Sequence, residues 1–258
     1  MEVLLSEKNP LLKQVRRAVQ KGTLTDDGFA VAEGFHLLEE ALKSNATIGT
    51  VIVAQSVNGA VQSHVKGLHL RVVTVRDQDF AALASTETPQ GVLALVKPPV
   101  STIGDVFSGC ALVAVLDGIQ DPGNAGAILR AAEAFGATGA VFLKGSVYPY
   151  NPKCVRASAG SIFRLPIATG LSDAALLGEV EKINGALYAA MPRAEVLLSG
   201  ADFKNGCAIV IGSEAHGVRE ALADAATGLR IPTTGVESLN AAVAAGILFY
   251  EARRQRTG

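Results

Sequence analysis

The chain has 258 residues, enough for one large α/β domain or two smaller ones, each with its own core. Hydrophobic residues make up 49% and charged residues 18%, an ordinary globular balance that argues against extended disorder. A net charge of −1, with ten Lys+Arg against ten Asp+Glu in residues 1–100 and 13 against 14 in the rest, argues against a protein that coats nucleic acid non-specifically.

The first predicted element is the helix in "NPLLKQVRRAVQKG". Asn9 is suited to cap it, Pro10 to start its first turn and Gly22 to close it. Leu12, Val15 and Val19 make its apolar stripe, while Lys13, Arg16, Arg17, Gln20 and Lys21 take the other faces. Such a basic face is either simply solvated or contacts phosphate. A short strand, a glycine and an amphipathic helix with Phe35, Leu38 and Leu42 on one side follow in "GFAVAEGFHLLEEALKS". Strands are expected at 50–54, 70–75 and 92–96, so the first hundred residues alternate α and β. The prolines of "VKPPVSTIGD" break both helix and strand. They divide the chain into a domain over 1–97, a linker over 98–108 and a domain over 109–258.

In the second part, strands are expected at 111–116, 140–143, 187–190, 207–211 and around 229–231. Helices are expected at 124–135, 152–162, 172–183, 218–226 and 237–254. Strands apolar on both faces imply a mostly parallel sheet covered by helices on both sides. Cys110, Cys154 and Cys207 are far apart and lack a Cys-x-x-Cys spacing, so they are expected to be small buried residues rather than zinc ligands or a disulfide framework. No signal-peptide pattern and no apolar run of about 18 or more residues is present, which points to the cytoplasm.

Three motifs carry chemistry. "LDGIQDPGNAGAILRAAEAFGA" follows an apolar strand and leads into a helix through Gly118, Gly123 and Gly126. Asp121 stands where a dinucleotide fingerprint needs its first glycine. Asn124 and Ala125 stand where a P-loop needs Lys and Ser/Thr. Both nucleotide readings fail at the residues that would touch phosphate. What remains is Asn124 near the helix start and Arg130 six residues on, in a helix of small residues. The plain alternative is an Asn cap and an arginine paired with Glu133. "AIVIGSEAHGVRE" places Glu214 in a tight turn at the carboxyl edge of the sheet, where ligands bind, although an acidic residue there also suits a helix dipole. His216, alone, is read as incidental. "LRIPTTGVESLNAAVAAGILFYEA" puts Ser238 and Asn240 in front of a small, apolar helix; the plain alternative is capping by Ser238.

Together the three motifs resemble the SpoU/TrmH family of RNA ribose 2′-O-methyltransferases, within the knotted SPOUT superfamily. The family pattern N-x-G-x-x-x-R-x-A matches "NAGAILRAA". G-x-E-G-x-G matches "GSEAHG" with Ala215 in place of a glycine. The I-P…S-L-N pattern matches "IPTTGVESLNAAVAAG". "YNPKCVRASAGSIFRLP" also resembles a family segment, and the N-terminal part resembles the family's L30e-like substrate-binding domain. The resemblance implies an α/β fold with a C-terminal trefoil knot, and methyl transfer from S-adenosylmethionine to a ribose 2′-hydroxyl without a metal. Arg130, Asn124, Glu214, Ser238 and Asn240 are the implied catalytic set. Gly212, Ile231, Leu239 and Met191 are the implied cofactor contacts. RNA contacts would come from Lys13, Arg16, Arg17, Lys153, Arg156 and Arg164, with Tyr148 and Tyr150 as stacking groups. A homodimer would pack through Ala127, Ala131, Ala242, Ala245 and Gly246. Ribosomal RNA is the preferred substrate, with transfer RNA and a resistance methyltransferase as alternatives. A nucleotide-dependent oxidoreductase or NTPase, or a non-catalytic RNA-binding module, are the rival classes.

Overall fold

The computed structural model describes residues 4–5 and 9–257. The chain forms two compact units: Met1–Pro99 with Tyr150–Arg164, and Val100–Pro149 with Leu165–Gly258.

The first unit runs β1 (Leu4–Leu5), α1 (Pro10–Lys21), β2 (Ala30–Glu33), α2 (Phe35–Lys43), β3 (Ile48–Ala54), α3 (Asn58–His64), β4 (Val72–Val75), α4 (Asp77–Ala81) and β5 (Val92–Val96). Its five-stranded sheet has the order β1-β4-β3-β5-β2. β1, β4 and β3 are parallel, and β5 is antiparallel to both β3 and β2. The expected caps of α1 are present. The Asn9 side chain accepts from the Leu11 N–H, and Gly22 closes the helix in the left-handed region at φ 65°. Leu12, Val15 and Ala18 of α1 are buried against Val31, Ile52, Leu93 and Leu95, which turns the charged residues of α1 outward.

The second unit contains α5 (Ile103–Val106), β6 (Leu112–Asp117), α6 (Pro122–Ala134) and β7 (Gly139–Phe142). α7 (Pro152–Ala157) comes next in the chain but belongs to the first unit. The second unit resumes with β8 (Ile167–Thr169), α8 (Asp173–Lys182), β9 (Ala186–Ala190), β10 (Val196–Leu197), β11 (Cys207–Gly212), α9 (Glu220–Ala225), β12 (Thr227–Arg230) and α10 (Ala241–Thr257). Its seven strands are ordered β10-β12-β9-β11-β6-β7-β8 and every pairing is parallel. Successive side chains on a strand point to opposite faces. Val113, Val115, Ala208 and Val210 therefore meet Leu176 and Val180 of α8 and Leu222 of α9 in one core. The alternate residues, such as Leu112, Leu116, Ile209 and Ile211, are equally buried on the other face, the side of α6 and α10. Strands apolar on both faces fold in this way because helices cover both.

Four differences from the sequence reading have physical causes. The segment Tyr150–Arg164, expected in the second domain, groups with the first. There Arg156 Nη1 donates to Ser85 Oγ at 2.8 Å, and Arg164 pairs with Glu40 at 2.8 Å. The long C-terminal helix starts at Ala241, not at residue 237, because the Asn240 side chain takes the cap by accepting from the Ala242 and Val243 N–H groups. Ser238 is therefore not its cap. Helix α6 starts at Pro122, because Asp121 caps it by accepting from the Asn124 N–H at 2.7 Å. Asn124 is inside the helix rather than capping it. Cys110 is exposed, whereas Cys154 and Cys207 are buried. Burial pushes the Cys154 thiol up to about 12 and the Cys207 thiol up to about 11, which keeps both as unreactive thiols. Strands β1, β8 and β10 are too short to be read from sequence period. Among the described residues no helix is long and apolar enough to cross a membrane, and no group of three or more His, Cys, Asp or Glu could hold a metal ion.

Arg256 ties the C-terminal helix to the segments that lead into the central strands β6 and β11. Its guanidinium donates to the carbonyls of Phe203 (2.6 Å), Cys110 (2.7 Å), Ala111 (2.9 Å) and Asn205 (2.6 Å). Without it the carbonyl of the buried Phe203 loses a charged donor, while the Ala111 carbonyl keeps its bond from the Cys207 N–H at 2.9 Å. Arg256→Ala is expected to destabilise the protein by about 2–4 kcal/mol, measured as a lowered urea midpoint at unchanged m-value.

Candidate active site

The loops that leave β6, β7, β11 and β12 lie at the carboxyl edge of the parallel sheet, where open α/β sheets bind ligands. Two features of the chain shape the loop after β11. Gly212 ends the strand, and a Cβ there would collide with the backbone of Gly217 and Val218. Only glycine allows residues 213–217 to fold back, with Ser213 and Gly217 exchanging hydrogen bonds of 3.1 and 2.9 Å. Arg219 then locks the loop down. Its backbone N–H donates to Asp117 Oδ2 at 2.8 Å and its Nε to Asp117 Oδ1 at 2.6 Å. Its Nη1 reaches Asp173 at 3.0 Å and its Nη2 the Lys144 carbonyl at 2.9 Å. One side chain thus joins the end of β6, the exit of β7, the start of α8 and the loop after β11. Asp117 is 3% exposed, so the clamp closes on a buried carboxylate. The hydrogen bond that the guanidinium donates to Asp117 in turn holds Arg219 above the usual arginine range.

Glu214, on the tip of that loop, accepts from Asn124 Nδ2. Asn124 Oδ1 accepts from Asn240 Nδ2 at 3.0 Å. Asn240 Oδ1 accepts from the first N–H groups of α10. The direction of this chain is fixed: a carboxylate only accepts, so Asn124 must turn its amide nitrogen to Glu214, and each later amide follows. Three residues from three motifs, far apart in sequence, therefore share one hydrogen-bonded row. Asp121's capping of α6 is what leaves the Asn124 side chain available for it.

Two clefts include residues of the motifs. The first is lined by Ala190, Met191, Pro192, Leu229, Ile231, Thr233, Glu237, Ser238 and Leu239 and encloses about 370 Å³ including its mouth. It brings Met191, Ile231, Leu239 and Ser238 together. Gly212 is not on its wall; its place is the tight loop. The second is lined by Asp117, Gly118, Gln120, Gly145, residues 213–217 and Arg219 and spans about 810 Å³ including its open side. Arg130 stands apart. It is exposed and makes no hydrogen bond or ion pair among the described residues. Six residues along α6 place it about 9 Å from Asn124 along the axis and roughly 240° around it.

The basic residues of the first unit are distributed otherwise. Arg17 pairs with Asp26 at 2.9 Å and Arg164 with Glu40. Arg156 holds Ser85, whose N–H and hydroxyl both bond the buried Glu33. The Arg16 Nε is buried without a hydrogen-bond partner among the described residues. Lys13 and Lys153 are exposed. Tyr150 is 8% exposed, which removes its ring from stacking on a base, whereas Tyr148 is 39% exposed. The functional part that sequence reasoning missed is the Arg219–Asp117–Asp173 clamp. An arginine after a glycine turn gives no local sign of a partner 102 residues away.

Residues 111–250 match the SpoU rRNA Methylase family and residues 9–94 match the MRM3-like substrate binding domain. The chain belongs to the SpoU rRNA methylase family. An uncharacterised tRNA/rRNA methyltransferase of Synechocystis sp. is 33% identical, covering 98% of this chain and 94% of that protein. The 23S rRNA (guanosine(2553)-2′-O)-methyltransferase RlmP of Bacillus subtilis is 30% identical, covering 98% of this chain and 100% of that protein. Among solved structures, the SpoU methyltransferase AviRb from Streptomyces viridochromogenes, in complex with its cofactor AdoMet, superposes with a TM-score of 0.86 at 25% identity, covering 96% of this chain and 98% of that one.

The family uses S-adenosylmethionine, and the first cleft has the chemistry to hold it. The apolar walls of Ala190, Met191, Leu229, Ile231 and Leu239 suit an adenine ring. Ser238, Thr233 and Glu237 supply the polar groups, and Glu237 is the only charged side chain on the lining. Glu237 would offer a carboxylate to a group carrying a sulfonium and an ammonium.

The clamp makes a direct stability test. Arg219→Ala leaves the Asp117 carboxylate buried and unpaired. Because Arg219 is itself one-third exposed at 32%, the cost is expected at the lower end for broken buried pairs, about 2–3 kcal/mol. Urea unfolding measures it. Asp117→Asn in the same background should recover part of the loss, because it removes the stranded charge.

Proposed function

We propose that this protein transfers the methyl group of S-adenosylmethionine to a ribose 2′-hydroxyl of RNA, with ribosomal RNA as the preferred substrate class. The observation that carries the reading is the Glu214–Asn124–Asn240 row, in which one polar residue from each of the three family motifs meets the others beside a cleft suited to the cofactor. When bound, S-adenosylmethionine supplies a methyl group already activated by its sulfonium. The residues of the chain have the remaining work: to hold the ribose, align its oxygen, and ease the loss of its proton. The fixed direction of the row suits positioning. Its two amides cannot rotate without breaking bonds to a carboxylate at one end and helix N–H groups at the other.

Arg130 is assigned to the developing 2′-oxyanion. Guanidinium stays protonated at working pH, so its contribution is charge stabilisation and a hold on a neighbouring phosphate rather than proton removal. Its separation from Asn124 along α6 is also the reason to propose a homodimer, in which Arg130 of one copy completes the site of the other. Ala127, Ala131, Ala242 and Gly246 are partly exposed small residues on α6 and α10, and Val243 and Tyr250 are apolar groups 52% and 56% exposed on α10. These support a helix-to-helix contact between copies. Ala245, by contrast, is buried within the chain. The C-terminal trefoil knot, an L30e-like character of the first unit, RNA contacts at Lys13, Arg16, Arg17 and Lys153, and a cytoplasmic location belong to the same proposal. Family membership supports them.

Arg130→Ala is the test of the mechanism. Methyl transfer to RNA from cells lacking the gene, followed with methyl-labelled S-adenosylmethionine, is expected to fall by about 100-fold or more, while the Kd for S-adenosylmethionine by calorimetry stays within about twofold. Full activity in this variant would remove Arg130 from the mechanism. Mapping 2′-O-methyl sites in RNA from cells with and without the gene identifies the substrate. A missing methylation in transfer RNA alone would overturn the ribosomal preference.

A further inference from the structure

We infer that the second cleft receives the base of the nucleotide being methylated, an inference that rests on the methyltransferase reading above. The first cleft includes Ser238 and Leu239, immediately before Asn240 in the chain. The second includes Glu214. The hydrogen-bonded row runs Asn240–Asn124–Glu214, from the residue that follows Ser238 and Leu239 in the chain to the wall of the second cleft. Transfer between two bound molecules needs two adjoining sites with the reacting oxygen between them. If the donor occupies the first, the acceptor nucleotide occupies the second.

The lining has the right character for a nucleobase. Gly118 and Gly145 take positive φ angles of 69° and 98° and expose a floor without side chains. A flat ring can approach backbone there as it cannot over larger residues. Gln120 and His216 are exposed on the lining. Together an amide and an imidazole offer donors and acceptors to the edge of an unstacked base, the usual way single-stranded RNA is read. The one arginine on the lining, Arg219, is consumed by Asp117 and Asp173, so the cleft presents no free cation from its own lining for a phosphate. That favours a base over a backbone group. His216, which the sequence alone left without a task, gains one as a base contact.

Ala215 offers the means of testing this. It is exposed on the loop tip, lines the cleft, and makes no part of the hydrogen-bonded row. Ala215→Trp should fill the cleft from its rim. The expected result is a loss of at least 10-fold in kcat/KM for RNA taken from cells lacking the gene, with the Kd for S-adenosylmethionine within about twofold of wild type and the unfolding midpoint unchanged. Gln120→Ala combined with His216→Ala, which empties rather than fills the cleft, should raise KM for RNA more than it lowers kcat. The inference is overturned if Ala215→Trp and the double variant both keep wild-type kcat/KM, or if Ala215→Trp weakens S-adenosylmethionine binding instead, which would place the donor in this cleft. Failure of the underlying reading has a different signature, a wild-type protein that neither binds S-adenosylmethionine nor methylates RNA.

Discussion

The grip of Arg219 on the buried Asp117 is the interaction on which the rest of the site depends. β6 and β11 are neighbours in the sheet, with Asp117 opposite Gly212 in register. The chain leaves β11 through a fold so close that only glycine fits, and it would be free to swing away at Val218. Arg219 prevents that by bonding Asp117 through its backbone and its guanidinium and by reaching Asp173 and the Lys144 carbonyl as well. Hydrogen bonds between ionised partners are shorter and stronger than neutral ones, and burial of Asp117 raises the penalty for breaking them. The loop tip that carries Glu214 is therefore held at a set distance from α6.

From that fixed point the site follows as a sequence of satisfied groups. Asp121 caps α6 and releases Asn124 from that task. Asn240 caps α10 with its oxygen and keeps its nitrogen for Asn124. Asn124 passes the alternation on to Glu214. Asn240 uses one end of its amide for the cap and one for the row, Asn124 uses both ends in the row, and hydrogen bonds in such a chain polarise one another in the same direction. The two clefts differ as the proposed donor and acceptor sites should. One is apolar with a single carboxylate, and the other is open, floored by glycine and edged by an amide and an imidazole.

Much of this was legible in the sequence, and the limits were physical. The strand Val92–Val96 stands where its five apolar residues predict, and α1 has the caps that Asn9, Pro10 and Gly22 predict. Local chemistry decides such elements, so local reading finds them. The motif residues Asn124, Glu214 and Asn240 were legible as a set through the family pattern, although their mutual bonds were not. Other features depend on distant partners. Both Ser238 and Asn240 are good caps by type, and only the fold shows that Asn240 takes the Ala242 and Val243 N–H groups. The segment Tyr150–Arg164 looks like a continuation of the second domain until Ser85 and Glu40 claim its arginines. Arg219 carries no local sign of Asp117 at all. Arg17 and Arg164 read as RNA contacts by charge, and each has an acidic partner that charge counting does not reveal.

The central claim is that Asn124 and Asn240 act as one unit in positioning the ribose, through the bond between their side chains. A double-mutant cycle in single-turnover methyl transfer measures this most directly, with Asn124→Ala, Asn240→Ala and the pair compared at saturating S-adenosylmethionine. The account predicts that the double variant is little slower than the slower single variant, because either change already breaks the row. Rate losses that multiply would contradict it, since they would mean that the two asparagines act independently.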